Sequence, residues 1–313
     1  MKQYNVLVYG TGAVGIYYGG KLFKAGFNVV FVDTPEKTAK LNKTGLHIQS
    51  KIDHDFSFEP VIVSDLKDQP PQDIILVCVK AFQTYDIALN LLPVVKPSTI
   101  TISLQNGLEN EKILSDMLGK NLVIGAVLFF NGELQNDATV VQKAPGNIVF
   151  GELDHQRSDR EEWLSEILSH ADIDHRISNS ITHEIWKKLI WNNAYNAISA
   201  LTQTTLGQIY RFEEILPTIR KMMNEVKQVA AAEGIEISGQ TIDELINLNP
   251  KYGDVKTSML KDIEANRMPE IEPLVGVILQ KAKKLGISTP VNQTIYELIQ
   301  LSLSRINKES DGE

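Results

Sequence analysis

Gly10-Thr11-Gly12-Ala13-Val14-Gly15 follows the apolar run 4–9 and opens a helical pattern over 14–25 that Gly26 ends. A complete GxGxxG carries little information alone. Between a strand and a helix it gains a physical meaning. The first glycine permits a tight turn, the second lets backbone approach a pyrophosphate, and the third lets helix and strand pack closely. The helix N-terminus then turns free N–H groups and a partial positive charge toward the phosphates. The competing reading is a glycine-rich turn that holds no ligand. Residues Gly10, Thr11, Gly12, Ala13, Val14 and Gly15 are thus the expected cofactor loop.

Outward from this loop the pattern repeats. Residues 28–32 are β-rich and stop at Asp33, 18 positions beyond Gly15, where an acid is expected to bond the ribose hydroxyls of NAD. A 2′-phosphate there would face like charge, at a cost of roughly 4 kcal/mol for unit charges ~4 Å apart at an effective dielectric near 20. Half that still discriminates more than tenfold. Lys37 lies close enough in sequence to offset it, so NAD is the expected cofactor and NADP the alternative. Without a ligand, Asp33 is an ordinary strand-end carboxylate.

The runs 73–79 and 99–104 are nearly continuous apolar segments, suited to strands covered on both faces. They lead into Lys80 and into Gln105-Asn106-Gly107. Lys80 and Asn106 therefore follow strand C-termini, where open α/β sheets bind ligands. Alternatively Asn106-Gly107 is a turn pair and Lys80 a solvated charge. Residues 125–130 and 134–142 read as strands joined by an Asn131-Gly132 turn.

From residue 178 onward the period becomes helical, with helices expected over 181–200, 215–233, 239–247, 256–266, 271–285 and 290–306. Gly234 and Gly286 stand where C-terminal glycines belong. The expected architecture is α/β: a Rossmann-type, doubly wound parallel sheet over 1–177, followed by an all-helical domain over 178–313. The polar tail after Asn307 is expected to fray.

Composition bounds the function. The chain has 313 residues and a formal charge of −8, with 43% hydrophobic and 22% charged residues. These values are those of a globular chain long enough to bury a large core. The acidic balance argues against nucleic acid as a partner. The longest apolar run, 122–130, falls short of the ~18 residues of a membrane span. With no recognisable targeting segment, a cytoplasmic protein is expected. Cys78 is the single cysteine and sits in a strand run, where a buried inert thiol is usual. The six histidines form no close ligand cluster, and no metal site is expected. His183-Glu184 resembles the start of HExxH, but Lys187 stands where the second histidine belongs.

The most unusual segment is 184–200, EIWKKLIWNNAYNAISA. Lys188, Asn192 and Asn196 recur at i, i+4 and i+8 and so share one helix face. Leu189, Trp191, Tyr195 and Ile198 make the surroundings apolar. Buried amides and ammonium groups need partners or a ligand. A lysine there can protonate an alkoxide as hydride reaches a carbonyl carbon, and partial burial would bring its pKa toward the working pH. A solvated helix face or a polar seam remains the alternative.

These motifs together resemble the ketopantoate reductase family over nearly the whole chain. The glycine loop agrees, as do Val79-Lys80-Ala81-Phe82-Gln83, Gln105-Asn106-Gly107, and the helix signature Glu184, Trp186, Lys188, Asn192, Asn196. A later block reads 258–263, SMLKDI, then Glu270-Ile271. The resemblance implies that Lys188 is the general acid in reduction and the base in oxidation. It implies that Glu270 engages substrate or holds the lysine network. Ser258, Asn192 and Asn196 would bind substrate oxygens, and Asn106 and Lys80 would lie at the cofactor–substrate junction. Two departures stand out. Val32-Asp33-Thr34 replaces the basic residue suited to NADP, and 204–207 reads TTLG where another polar substrate ligand is common.

The expected activity is therefore NAD-dependent interconversion of 2-oxo acids and D-2-hydroxy acids, branched or bulky. That matches the branch that resembles D-mandelate dehydrogenase. An NADPH-dependent 2-dehydropantoate 2-reductase is the alternative within the fold, and a nucleotide-sensing binding protein without catalysis the alternative outside it. The apolar surplus of the C-terminal helices fits a homodimer surface and a single-domain core equally well.

Overall fold

A computed structural model describes residues 3–248 and 253–310, the side chains of 305–310 apart. The chain divides into two compact units, Met1–Glu184 and Ile185–Glu313.

The first unit is built on strands β1 (Asn5–Tyr9), β2 (Asn28–Val32), β3 (Leu46–Ser50), β4 (Phe56–Phe58), β5 (Val61–Val63), β6 (Ile74–Val77), β7 (Ile100–Ser103), β8 (Val123–Asn136), β9 (Thr139–Gly151) and β10 (His175–Ile177). Its helices are α1 (Ala13–Lys24), α2 (Pro35–Thr44), α3 (Thr84–Leu91), α4 (Asn110–Leu118) and α5 (Asp159–His170). Strands β5-β2-β1-β6-β7-β8 lie side by side and all parallel, the Rossmann order. The chain reverses direction across the sheet between β1 and β6, which makes that pair the switch point where such sheets take ligands. Strand β9 then runs antiparallel to β8 and carries β3 and β10.

Alternation along the apolar strands explains the two-sided burial. Val6 and Val8 of β1 enter one core with Ile16 and Leu22 of α1 and Leu164 and Ile167 of α5. Leu7 enters the other core with Ile87 and Leu91 of α3 and Leu114 of α4. Each such side chain contributes about 1.5–3 kcal/mol of transfer free energy, so both faces must be covered.

Four sequence expectations need correction here. Asn131-Gly132 is not a turn. Strand β8 continues to Asn136 with register shifts at Phe129/Asn131 and Asn131/Gly132. The reversal is at residues 137–138, where the Asn136 side chain accepts from the Ala138 amide at 2.9 Å. A Cβ on Gly132 would strike the Phe130 ring, so this glycine serves packing within a bulged strand. Cys78 lies just beyond β6 rather than inside it and is half-buried; burial pushes its thiol pKa up. Helix α5 is absent from the sequence reading, although Ser158 and Glu161 form a capping box at its start.

The fourth correction concerns 271–285, which is not one regular helix. The second unit comprises most of α6 (Ile181–Thr202), then α7 (Leu206–Arg211), α8 (Leu216–Ala232), α9 (Gly239–Ile246), α10 (Ser258–Glu264), α11 (Val277–Leu285) and α12 (Pro290–Ser310). A π-helical turn, Glu272–Gly276, precedes α11. Residues 311–313 of the polar tail lie outside the described residues.

Helix α8 packs against α9, α11 and α12 and buries Ile219, Met222, Met223, Val226 and Val229 at helical spacing. On the same helix the buried Glu225 caps the start of α12. Its carboxylate accepts from the Val291 and Asn292 amides, both at 2.9 Å, and from Asn292 Nδ2 at 2.7 Å. An anion at a helix N-terminus satisfies amides that have no intrahelical partner. Glu225→Ala is expected to lower unfolding free energy by about 3 kcal/mol, read as a shifted denaturant midpoint. A wild-type midpoint would refute the assignment.

Candidate active site

The glycine loop leaves β1 at Gly10, whose φ of +107° favours glycine. A Cβ there would lie 2.7 Å from Val79 Cγ1, in the segment just after β6. A Cβ on Gly15 would be driven into the Gly10 carbonyl oxygen, so the helix sits directly on the strand end. Gly12 differs: an added Cβ meets only the Cys78 carbonyl oxygen, at 4.0 Å. Gly12 is the N-cap of α1, and its first turn has no side-chain cap and no acidic residue. This is a backbone cradle with unspent amides, and it fits a dinucleotide pyrophosphate.

Asp33 braces this loop. Its Oδ2 accepts from the Thr11 amide at 2.8 Å and the Thr11 hydroxyl at 2.5 Å, while Oδ1 accepts from the Thr34 amide at 2.8 Å. Lys37 Nζ stands 3.5 Å from Oδ2. Burial pulls the Asp33 pKa upward, but the Thr11 and Thr34 bonds and Lys37 together hold it below the ordinary carboxylate value. The carboxylate expected at a ribose fastens the turn after β1.

Lys80 and Asn106 lie at the same C-terminal edge of the sheet. Both are half-buried. Lys80 precedes the 3-10 turn Ala81–Gln83. The Asn106 carbonyl accepts from Asn110 Nδ2 at 2.9 Å. Around these two residues lie Thr84, Ser103, Gln105 and Asn110, all buried and polar. Sequence reasoning assigned no role to Thr84, Ser103 or Asn110. The available signal was a set of polar residues just where apolar strands end.

In the helical unit the stripe on α6 is embedded. Asn192 and Asn196 are 6% and 3% exposed, and Lys188 is half-buried. Trp191 stacks on Tyr195 with centroids 5.1 Å apart, and Tyr195 packs on Tyr210 at 4.9 Å. Among the described residues, the Asn192 and Asn196 side chains make no hydrogen bond. Adjacent Asn193 is spent differently, donating to the Leu274 carbonyl in the π-turn at 3.0 Å. Glu270 is 5% exposed, and Ser258 is exposed at the start of α10.

The departing segment 204–207 has a structural use. Thr205 caps α7 reciprocally with Gln208, and a Cβ on Gly207 would collide with the Gly253 carbonyl. A cavity of about 460 Å³ beside the π-turn, lined by Glu272, Lys283 and Tyr296 among others, contains none of the predicted site residues. Among the described residues no group of three or more His, Cys, Asp and Glu side chains is placed to hold a metal. No described helix is long and apolar enough to cross a membrane.

Two consequences are measurable. Gly15→Ala should reduce dinucleotide affinity at least tenfold by displacing α1 from the Gly10 carbonyl; unchanged affinity in a calorimetric titration would contradict this. Asp33→Asn should be less stable than wild type at neutral pH. Since the native Asp33 pKa is lowered, its contribution is complete above about pH 5 and fades as pH falls through the native value. The stability difference should therefore be flat from about pH 6 to 8 and shrink in acid. A gap that widens in acid would reverse the sign.

Similar proteins identify the family and the fold. The family model described as ketopantoate reductase PanE/ApbA matches residues 6–155, and its C-terminal counterpart matches 180–302. A Nostoc protein named 2-dehydropantoate 2-reductase is 30% identical over 96% of this chain and 95% of its own length. The crystal structure of a PanE/ApbA family ketopantoate reductase from Ralstonia eutropha superposes with a TM-score of 0.88 at 30% identity, covering 96% of this chain and 99% of that one. A D-mandelate dehydrogenase solved with NADH and anilino(oxo)acetate shares the fold, with a TM-score of 0.90 at 22% identity over 97% and 99% of the two chains. The chain belongs to the ketopantoate reductase family and is an NAD(P)-dependent oxidoreductase.

Proposed function

We propose that this enzyme interconverts branched or bulky 2-oxo acids and D-2-hydroxy acids with NAD. The observation that carries the reading is the α6 stripe: two buried amides, Asn192 and Asn196, with unspent hydrogen-bonding capacity on the helix face that bears Lys188. Among the described residues, neither side chain holds a fully buried polar atom without a partner, so both amides keep solvent access and can bond a polar substrate. Gly10–Gly15 and Asp33 would hold the dinucleotide, with Lys80 and Asn106 at its reactive end. Bound NADH supplies a hydride for the substrate's keto carbon.

Lys188 then gives its Nζ proton to the carbonyl oxygen as negative charge develops there, and accepts it back in the oxidative direction. Asn192 and Asn196 orient the substrate's oxygens, and Ser258 and Glu270 complete its binding. Holding the groups in register contributes through lost translational freedom prepaid on binding. Asp33 supports NAD, because its ionised carboxylate at the end of β2 opposes a 2′-phosphate.

A second reading, NADPH-dependent 2-dehydropantoate 2-reductase, is favoured by the relatives' names. Lys37 also favours it, since it brings a cation within 3.5 Å of Asp33. The two differ in cofactor more than in chemistry, since 2-dehydropantoate is itself a branched 2-oxo acid. Initial rates with NADH and NADPH on 2-dehydropantoate, benzoylformate and 2-ketoisovalerate separate them. NADH preference with benzoylformate or 2-ketoisovalerate supports the first reading; strong NADPH preference with 2-dehydropantoate supports the second. Lys188→Ala should lower kcat by about 10²–10⁴ while NADH still binds. Undiminished turnover would remove Lys188 from the reaction.

A further inference from the structure

A chain of buried polar side chains joins the two loops that carry Lys80 and Asn106. The Ser103 hydroxyl donates to Gln105 Oε1 at 3.0 Å, and Gln105 Nε2 donates to Thr84 Oγ1 at 2.9 Å. The Thr84 hydroxyl lies 2.9 Å from Asn110 Oδ1, and Asn110 Nδ2 donates to the Asn106 carbonyl at 2.9 Å. Thr84 Oγ1 also lies 2.8 Å from the Ala81 carbonyl, inside the turn that follows Lys80. Ser103 and Thr84 are wholly buried, Asn110 is 2% exposed and Gln105 8%.

Every donor in the series can point the same way, from Ser103 toward Asn106. Aligned hydrogen bonds in a low-dielectric interior polarise and strengthen one another. The network is also costly to break, because each buried partner left alone pays its desolvation in full. A hydrophobic core would hold α3 and α4 on the sheet equally well, as Ile87, Leu91 and Leu114 already do. Packing alone does not fix the orientation of a loop carbonyl; directional bonds do. The loop after β7 is thereby tied to Thr84, the first residue of α3 and the residue directly after the Ala81–Gln83 turn, whose single hydroxyl hydrogen is shared between Asn110 Oδ1 and the Ala81 carbonyl.

We infer that Thr84 and Asn110 are positioning residues. They fix the Asn106 backbone and the Lys80 turn as one rigid edge, so that hydride transfer begins from an aligned complex. The inference rests on the proposed roles of Asn106 and Lys80. A misalignment of about 1 Å at a reacting pair is enough to cost on the order of 10²-fold in rate.

The experiment compares full-length wild type with Thr84→Val, Thr84→Ser and Asn110→Ser. Thr84→Val keeps the side-chain shape and removes the hydroxyl. It should lower kcat at least tenfold, leave the NADH dissociation constant within about threefold, and speed amide hydrogen exchange in residues 81–84 and 105–110 while exchange in β1 and β6 stays at wild-type rates. Thr84→Ser restores the hydroxyl and should recover most of the lost kcat, and Asn110→Ser should resemble Thr84→Val in both readouts. Wild-type kcat and exchange in Thr84→Val would overturn the inference. So would exchange accelerated uniformly through the unit, or a Thr84→Ser variant as slow as Thr84→Val. Should Thr84→Val fail to fold, Asn110→Ser alone supplies the same two readouts. Wild-type enzyme that turns over no 2-oxo acid would refute the proposed function instead; the exchange pattern would still decide whether the network orders these loops.

Discussion

The Asp33 carboxylate is shared between two strand ends, and the geometry of the nucleotide loop depends on it. Thr11 gives it both an amide and a hydroxyl bond, which ties the turn after β1 to the end of β2. The turn can be this tight only because Gly10 adopts a positive φ and Gly15 lets α1 rest on the Gly10 carbonyl. These restraints aim the first turn of α1, free of acid and of a side-chain cap, over the switch point of the sheet. The positive end of a helix dipole and a fixed negative charge thus occupy neighbouring places. The first favours an anion, and the second disfavours one.

The helical unit follows a different principle. Residues 192–200 of α6 are buried on every side, so the helix has no solvent face on which polar groups cost nothing. On this helix the fully buried polar atoms without a partner among the described residues are Asn193 Oδ1 and Tyr195 OH, and each opposes folding by about 1–3 kcal/mol. The surrounding core offsets that cost through α8, its apolar face and its Glu225 cap on α12. Asn193 shows the contrast within one helix: its Nδ2 is spent on the π-turn carbonyl of Leu274 and its Oδ1 is buried without a partner, whereas the Asn192 and Asn196 amides keep solvent access.

The central sheet was legible because strands covered on both faces must be apolar at successive positions, and 73–79 and 99–104 show just that. The glycine loop, Asp33 and the α6 stripe were legible because spacing alone defines a helix N-terminus, a strand end and a helix face. Other features were not. Asn131-Gly132 carries the composition of a tight turn, yet cross-strand pairing of β8 with β9 runs through it and places the reversal at residues 137–138. Helix α5 had a readable cap in Ser158 and Glu161, but its low amphipathic contrast hid it among charged residues. The π-turn before α11 had a readable signal in Pro273, which has no N–H to donate inside the run 271–285.

The amino-acid sequence by itself determined the alternating βα order, the glycine loop, the acid at the end of β2 and the single face shared by Lys188, Asn192 and Asn196. All of these are set by separations of a few residues, over which backbone geometry is nearly rigid. Only the tertiary structure decided that Asp33 is bound to Thr11, that Asn192 and Asn196 are buried without side-chain partners among the described residues, and that Thr84, Gln105 and Asn110 join two loops through directional bonds. Those contacts bring together residues about 20 to 26 positions apart, and strand order and helix docking choose such partners, because local propensity is blind to contacts made across a sheet.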